Sequence, residues 1–352
     1  MWRNRRVVLV GVAAVLLVVY FYARSSAAPV LWAGGGEGGR GVPGGPPAVG
    51  GAASEARLYR TRAEFCVVVD NPVVSPANTY ARVPIPGLNG LPAWWFVPAV
   101  PDILLHLTKS GEAFKARVWG VDFDDGGGLF SEIMRLVPPT AIMIDVGANI
   151  GWSSLRVAAN GRRVIALEPG HDMCLSIASS VCMNRFEDRY TLVEAAVGAA
   201  NGRAQFFGAG DGATMLADVW AERAHVAAPE GHEVPVVSLD ALLSETPFDW
   251  GAVVTNVALL KFDVQGYEIH VMRGAARLLR EARRGTWVCS EHDYRMIAKL
   301  QDPAGPIADL EFMVAQGYSV HTTWREPEWP AAEWRSAAFN WGAINDVWFM
   351  KL

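Results

Sequence analysis

The stretch "AIMIDVGANIGWSSLRVAAN", residues 141–160, changes periodicity halfway along. Residues 141–144 are apolar without interruption and end at Asp145. Gly147 and Gly151 then bracket Asn149, and Ile150 to Ala159 take helical spacing. An unbroken apolar run reads as a strand buried on both faces, and strand, glycine turn and helix together make the first half of a βαβ unit.

Further units follow. "RRVIALEPG" (162–170) reads as a second buried strand ending in Glu168, and residues 172–184 as a helix. "YTLVEAAVG" (190–198) reads as a third strand, "RAQFFG" (203–208) as a short extra one, and "VPVVSLDALL" (234–243) as another, with Asp240 as a helix N-cap. "VALLKFDVQG" (257–266) is the fourth main strand, followed by a helix over 267–280, and "GTWVCSEHD" (285–293) is the fifth. A helix over about 305–316 precedes two closing strands, "GYSVHTTW" and "DVWFMKL". Strands alternating with helices predict an α/β fold with a mostly parallel sheet covered on both faces. The closing pair has no helix between its strands and returns antiparallel, so the expectation is seven strands with one reversed.

Ahead of this domain the chain reads differently. Arg3, Arg5 and Arg6 precede an apolar run from Val7 to Ala23. At 1.5 Å per residue such a run spans about 25 Å, enough for a thin bilayer with arginines at its edge. The expected layout is a cytoplasmic tail (1–6), a transmembrane signal-anchor (7–23), a glycine- and proline-rich flexible stalk (24–56), an N-terminal extension packing on the core (57–134) and a catalytic domain (135–352). This is a single-pass type II arrangement with the domain in the ER or Golgi lumen. The alternative is secretion after cleavage near Ala28. The 352 residues carry a formal charge of −5, which argues against a nucleic-acid partner. Among the four cysteines, Cys174 and Cys182 fall on one predicted helix, two turns apart and too far to bridge; Cys66 is a possible partner in an oxidising lumen.

In sheets of this kind a ligand sits beyond the carboxyl ends of the strands. Gly147 lets the backbone approach a ligand, and the following helix N-terminus offers N–H groups to an anion. A dinucleotide site would show G-x-G-x-x-G, whereas this loop puts a carboxylate, Asp145, directly before its glycines. An ammonium suits that acid and a pyrophosphate does not. S-adenosylmethionine carries both a carboxylate and an ammonium, and Glu168 is placed to take its ribose hydroxyls. Asp145, Gly147, Asn149, Gly151, Glu168 and Glu194 are therefore the cofactor-binding candidates.

The blocks "AIMIDVGANIGWSS", "VIALEPG", "LVEAAVG", "VPVVSLDALL" and "LLKFDVQGYEIHVMRGAARLL" occur in this order. Together they resemble the FkbM-type family of S-adenosylmethionine-dependent methyltransferases over about residues 135–320. The resemblance implies a Rossmann-like class I methyltransferase fold and methyl transfer to a hydroxyl oxygen. Many members have Glu where this chain has Gln265.

Methyl transfer to oxygen needs alignment of the acceptor and removal of its proton. Asp263, Glu291 and His292, at the ends of adjacent strands, are candidates for base and orienter, and Lys261 for balancing the acids or holding the acceptor. Gln265 and Glu268 are candidates for acceptor binding. The same carboxylates and imidazole could hold a divalent ion, although no metal is assigned. Trp324, Trp329, Trp334, Trp341 and Trp348 crowd the C-terminal part, and indoles stack on sugars, so a glycan acceptor is attractive, with core packing or a lid as the other reading. Two alternatives stand beside the methyltransferase: a type II Golgi glycosyltransferase using Asp122 and Asp124, and a non-catalytic binding domain on the same fold.

Overall fold

The computed structural model describes residues 56–67, 80–84, 94–98, 133–207, 231–291, 305–336 and 346–352. The chain divides into two compact units, Met1–Gly44 and Gly45–Leu352, and every described residue belongs to the second. The predicted anchor, most of the stalk, Asp122, Asp124, His292 and Trp341 lie outside the described residues. Among those described, no helix is long and apolar enough to cross a membrane.

In chain order the elements are β1 (Arg57–Tyr59), α1 (Arg62–Phe65), β2 (Tyr80–Pro84), β3 (Trp94–Pro98), β4 (Ile142–Val146), α2 (Ser154–Ala159), β5 (Arg163–Glu168), α3 (His171–Asn184), β6 (Tyr190–Glu194), β7 (Ala196–Val197), β8 (Gly202–Phe206) and β9 (His232–Val237). Then come α4 (Leu239–Ser244), α5 (Trp250–Asn256), β10 (Val257–Phe262), α6 (Glu268–Gly274), α7 (Ala276–Glu281), β11 (Trp287–Glu291), α8 (Gly305–Ala315), β12 (Tyr318–His321), α9 (Ala331–Trp334) and β13 (Asp346–Lys351). The main sheet runs β1-β6-β5-β4-β10-β11-β13-β12. Strands β4, β5, β6, β10 and β11 pair in parallel, and β13 runs antiparallel to both its neighbours.

The sheet therefore has eight strands where seven were expected, and two of them are reversed. The extra strand, β1, pairs antiparallel with β6, Arg57 opposite Glu194. Only three residues long, it shows no alternation from which sequence could have announced it. Three more expectations shift. The turn after β4 extends to Ser153, so the helix begins at Ser154 and not near Ile150. The helix expected over 267–280 breaks at Ala275 into α6 and α7. The stretch 190–198 divides at Ala195, and its second piece, β7, leaves the main sheet to pair with β9, which also pairs with β8.

Helix α4 is capped by Ser238, whose hydroxyl accepts the Ala241 amide. Asp240, expected in that role, caps a different helix: its carboxylate accepts the amides of Arg277 and Leu278 at the start of α7. Where α6 meets β7 the approach is close enough that a Cβ on Gly274 would lie 2.0 Å from the Gly198 carbonyl oxygen.

Apolar side chains fill both faces of the sheet. One cluster lies under α2 and α3 and includes Met143, Leu155, Ile177 and Trp348; the other lies under α4 to α8 and includes Ile144, Leu260, Leu279, Trp329 and Trp334. Trp329, Trp334 and Trp348 are thus core residues, and Trp324 is partly buried against the first cluster. The sugar-stacking reading fails for those three indoles, because their faces are covered by protein. Cys66 and Cys182 form a disulfide that fastens α1 to α3, while Cys174 and Cys289 are buried and take part in no disulfide.

Candidate active site

The carboxyl ends of β4, β5, β10 and β11 bring the predicted residues to one edge. Parallel register sets Asp145 beside Lys261 and Glu168 beside Glu194. The loop after β10 presses on the loop after β4: the Asp263 amide donates to the Val146 carbonyl (3.1 Å), and a Cβ on Gly147 would lie 1.9 Å from the Asp263 carbonyl oxygen. Gly147 has φ +79°, a conformation that L side chains rarely adopt. Glycine is required there on both counts.

A continuous chain of polar contacts crosses three strands. Lys261 Nζ stands 3.6 Å from Asp145 Oδ1 and 3.0 Å from Asp263 Oδ2. Gln265 Nε2 donates to Asp263 Oδ1 (2.8 Å) and to Glu291 Oε2 (2.9 Å). The order is acid, ammonium, acid, amide, acid.

Ionisation varies along this chain. Burial alone would lower the Lys261 pKa, but Asp263 and Asp145 outweigh it and hold the ammonium charged. Burial pushes Asp263 up, and the Lys261 charge with hydrogen bonds from its neighbours more than offsets this, so Asp263 stays ionised. Glu291 goes the other way: burial, then the charges of Asp263 and Glu268, drive it well above the ordinary carboxylate range. Two acids in one site rarely ionise together, and here Asp263 carries the charge.

On the other side of β4, Glu168 is buried and accepts the Asn149 amide on one oxygen and the Gly170 amide on the other, both at 2.8 Å. Burial pushes its carboxyl up to about 7 against those two donors. The amides of Gly147 and Ala148 go to the Leu167 carbonyl. The cofactor loop thus spends three backbone donors on β5 and on the side chain that ends it. It leaves two buried acceptors, Asp145 Oδ1 and Asn149 Oδ1, with no hydrogen-bond partner among the described residues.

These groups fit S-adenosylmethionine. Asn149 Oδ1, and Asp145 Oδ1 with only the longer Lys261 ion pair, suit an ammonium with three hydrogens to give, and each Glu168 oxygen keeps a lone pair for a ribose hydroxyl. The fit at the anion end is weaker than expected, because the loop amides near Gly147 are already taken.

Two assignments change in character. Glu268 is buried, and its Oε1 accepts the amides of Val264 (2.9 Å) and Gly266 (3.2 Å), so it shapes the loop that carries Gln265. Burial pushes it up to about 7. Glu194 is held by His171 Nδ1 (2.8 Å), the Tyr59 hydroxyl (2.9 Å) and Arg57 (3.7 Å), which ties β1 to the end of β6 and the start of α3. Tyr59 and Arg57 were not singled out by sequence, since their partner lies more than 130 positions away. Among the described residues no group of three His, Cys, Asp or Glu side chains could hold a metal ion.

Comparison with known proteins follows the same lines. Residues 145–313 match the family model described as the methyltransferase FkbM domain. No curated protein matches the chain. Among solved structures, it is similar to the O-methyltransferase TomG from Streptomyces achromogenes, involved in tomaymycin synthesis and solved with S-adenosylmethionine, at 13% identity over 72% of this chain and 92% of that one, TM-score 0.37. It is also similar to an O-methyltransferase from Bacillus cereus in complex with SAH, at 16% identity over 63% of this chain and 78% of that one, TM-score 0.34.

Proposed function

Residues 145–313 form a methyltransferase FkbM domain and the chain is an S-adenosylmethionine-dependent methyltransferase, from which we propose that it O-methylates a hydroxyl of a glycan or small-molecule acceptor in the secretory pathway. The observation that carries this reading is the pressing of the Asp263 loop onto the cofactor loop at Gly147. It supports the reading because it sets an ionised carboxylate against the loop proposed to bind the methyl donor.

The bound sulfonium supplies a methyl group that is already activated. This chain's residues have to hold the acceptor in line and take its proton. Asp263 is the proton acceptor in this reading; Lys261 keeps it ionised, and Glu291 holds the pair's remaining proton. Asp145 and Asn149 would receive the ammonium of the donor, and Glu168 its ribose. The alternative of a glycosyltransferase gives way to the methyltransferase match.

The secretory location is supported by the buried Cys66–Cys182 disulfide, since such bonds persist in oxidising compartments. A native protein recovered from membranes with its N-terminus near Met1 would agree with anchoring by residues 7–23. A mature N-terminus near Ala28 would show cleavage.

The reaction class is tested by incubating the full chain with methyl-labelled S-adenosylmethionine and a panel of sugars, phenols and hydroxy acids. Label in a base-stable ether is expected. Label released as methanol by mild base would mean a methyl ester, and O-methylation of hydroxyls would be wrong.

A further inference from the structure

Gln265 has φ +61°, inside the left-handed region, and the next residue, Gly266, has φ +97°. Glycine at 265 would relieve the backbone, so the chain accepts strain in order to keep a side chain there. What that side chain does is specific. One amide nitrogen gives a hydrogen to Asp263 Oδ1 at 2.8 Å and a hydrogen to Glu291 Oε2 at 2.9 Å. Both acceptors lie at carboxyl ends of neighbouring parallel strands, and Glu268 fastens the loop between them through the amides of Val264 and Gly266.

We propose that Gln265 is a positioning residue for methyl transfer, tying Asp263 to Glu291 so that the Asp263 carboxylate stays fixed beside the cofactor loop. This rests on the methyltransferase reading and replaces direct acceptor contact as the main task of the side chain. Among the described residues, the charged groups facing the pair include Lys261 and Asp145 on the Asp263 side, and Glu268 and Asp346 toward Glu291. A second ammonium at 265 could not serve, because it would compete with Lys261 for Asp263. A carboxylate could not donate to two acids at once; even protonated it has one hydrogen to give.

Gln265→Gly separates backbone from side chain. Relief of the strain at 265 offsets part of the two lost hydrogen bonds, and the melting temperature of the variant checks that it is folded. Losing the Gln265 donor should raise the titration of Asp263, by about one pH unit for a single hydrogen bond. The readout is the Asp263 carboxyl ¹³C resonance in the full chain, assigned by its loss in Asp263→Asn. In Gln265→Glu, the new carboxyl should hold its proton at neutral pH, well above an ordinary glutamate.

An Asp263 titration unchanged in Gln265→Gly, or a residue 265 carboxyl titrating like an exposed one in Gln265→Glu, would overturn the proposal. Calorimetry with S-adenosylhomocysteine on the same samples keeps the two readings apart. No binding by the parent chain would sink the methyltransferase function, while the carboxyl titrations would still report on the bridge.

Discussion

Gly147 and Asp263 meet so closely that a single methyl on the glycine would penetrate the aspartate's backbone carbonyl, 1.9 Å away. The loops after β4 and β10 are therefore one mechanical unit. Gly147→Ala adds a clash to a φ that costs an L residue about 1–2 kcal/mol on its own. The expected result is a lower melting temperature together with lost S-adenosylhomocysteine affinity, read by calorimetry. A variant that binds as tightly as the parent would show that the two loops are independent.

Asp145 and Asp263 should fail differently. If Asp145 receives the ammonium as proposed, Asp145→Ala should weaken cofactor binding by about 1.5–3 kcal/mol, the range for a charge-assisted hydrogen bond. Asp263→Ala should leave cofactor affinity nearly intact and slow methyl transfer by roughly 10²–10⁴-fold, as for a positioned base. Dissociation constants compared with single-turnover rates decide between them. Equal losses of cofactor affinity would place Asp263 in the cofactor pocket.

Asp309 on α8 is fully buried, and neither of its carboxyl oxygens has a hydrogen-bond partner among the described residues. Burial, with Glu268 adding and Arg273 opposing, pushes its pKa from 3.8 to about 8. A folded pKa above the unfolded one favours the fold while the group is neutral. That stability is complete below about 4 and is lost as the pH rises through 8. Asp309→Asn should therefore raise the melting temperature more at pH 8 than at pH 5. An equal change at both would show that Asp309 ionises in the fold at no cost.

The Cys66–Cys182 bond closes a loop between residues 116 positions apart. Cys66→Ser should cost on the order of 2–5 kcal/mol, the range for losing a native disulfide. Denaturant unfolding of the parent with and without reductant gives the comparison. If neither reductant nor the substitution moves the midpoint, the bond does not form.

The placement of these residues was largely legible from residues 141–291, because each apolar run ends in a side chain assigned to the candidate site: Asp145, Glu168, Asp263 and Glu291. Alternation with helices makes the strands parallel, which brings their carboxyl ends to one edge with no side-chain detail. What sequence could not convey depends on long-range pairing. Asp240 looks like the cap of the helix it sits in, yet its carboxylate serves amides 37 and 38 positions later. The indoles of Trp329, Trp334 and Trp348 face inward, and no count of tryptophans reveals direction. Gln265 showed as a lost charge, whereas its structural meaning is two hydrogens shared between two acids.

Strand β1 has one more consequence. An uncovered outer strand offers its backbone groups to any passing chain, and proteins commonly blunt such edges. Here three residues, Arg57 to Tyr59, lie along β6 and occupy that margin, with Tyr59 and Arg57 fastened to Glu194. A chain trimmed to begin at residue 135 would retain every strand of the family domain and yet lay the flank of β6 bare. Such a trimmed form should self-associate through that flank, whereas a chain begun at residue 56 should stay apart, and the molar mass of each in solution decides it.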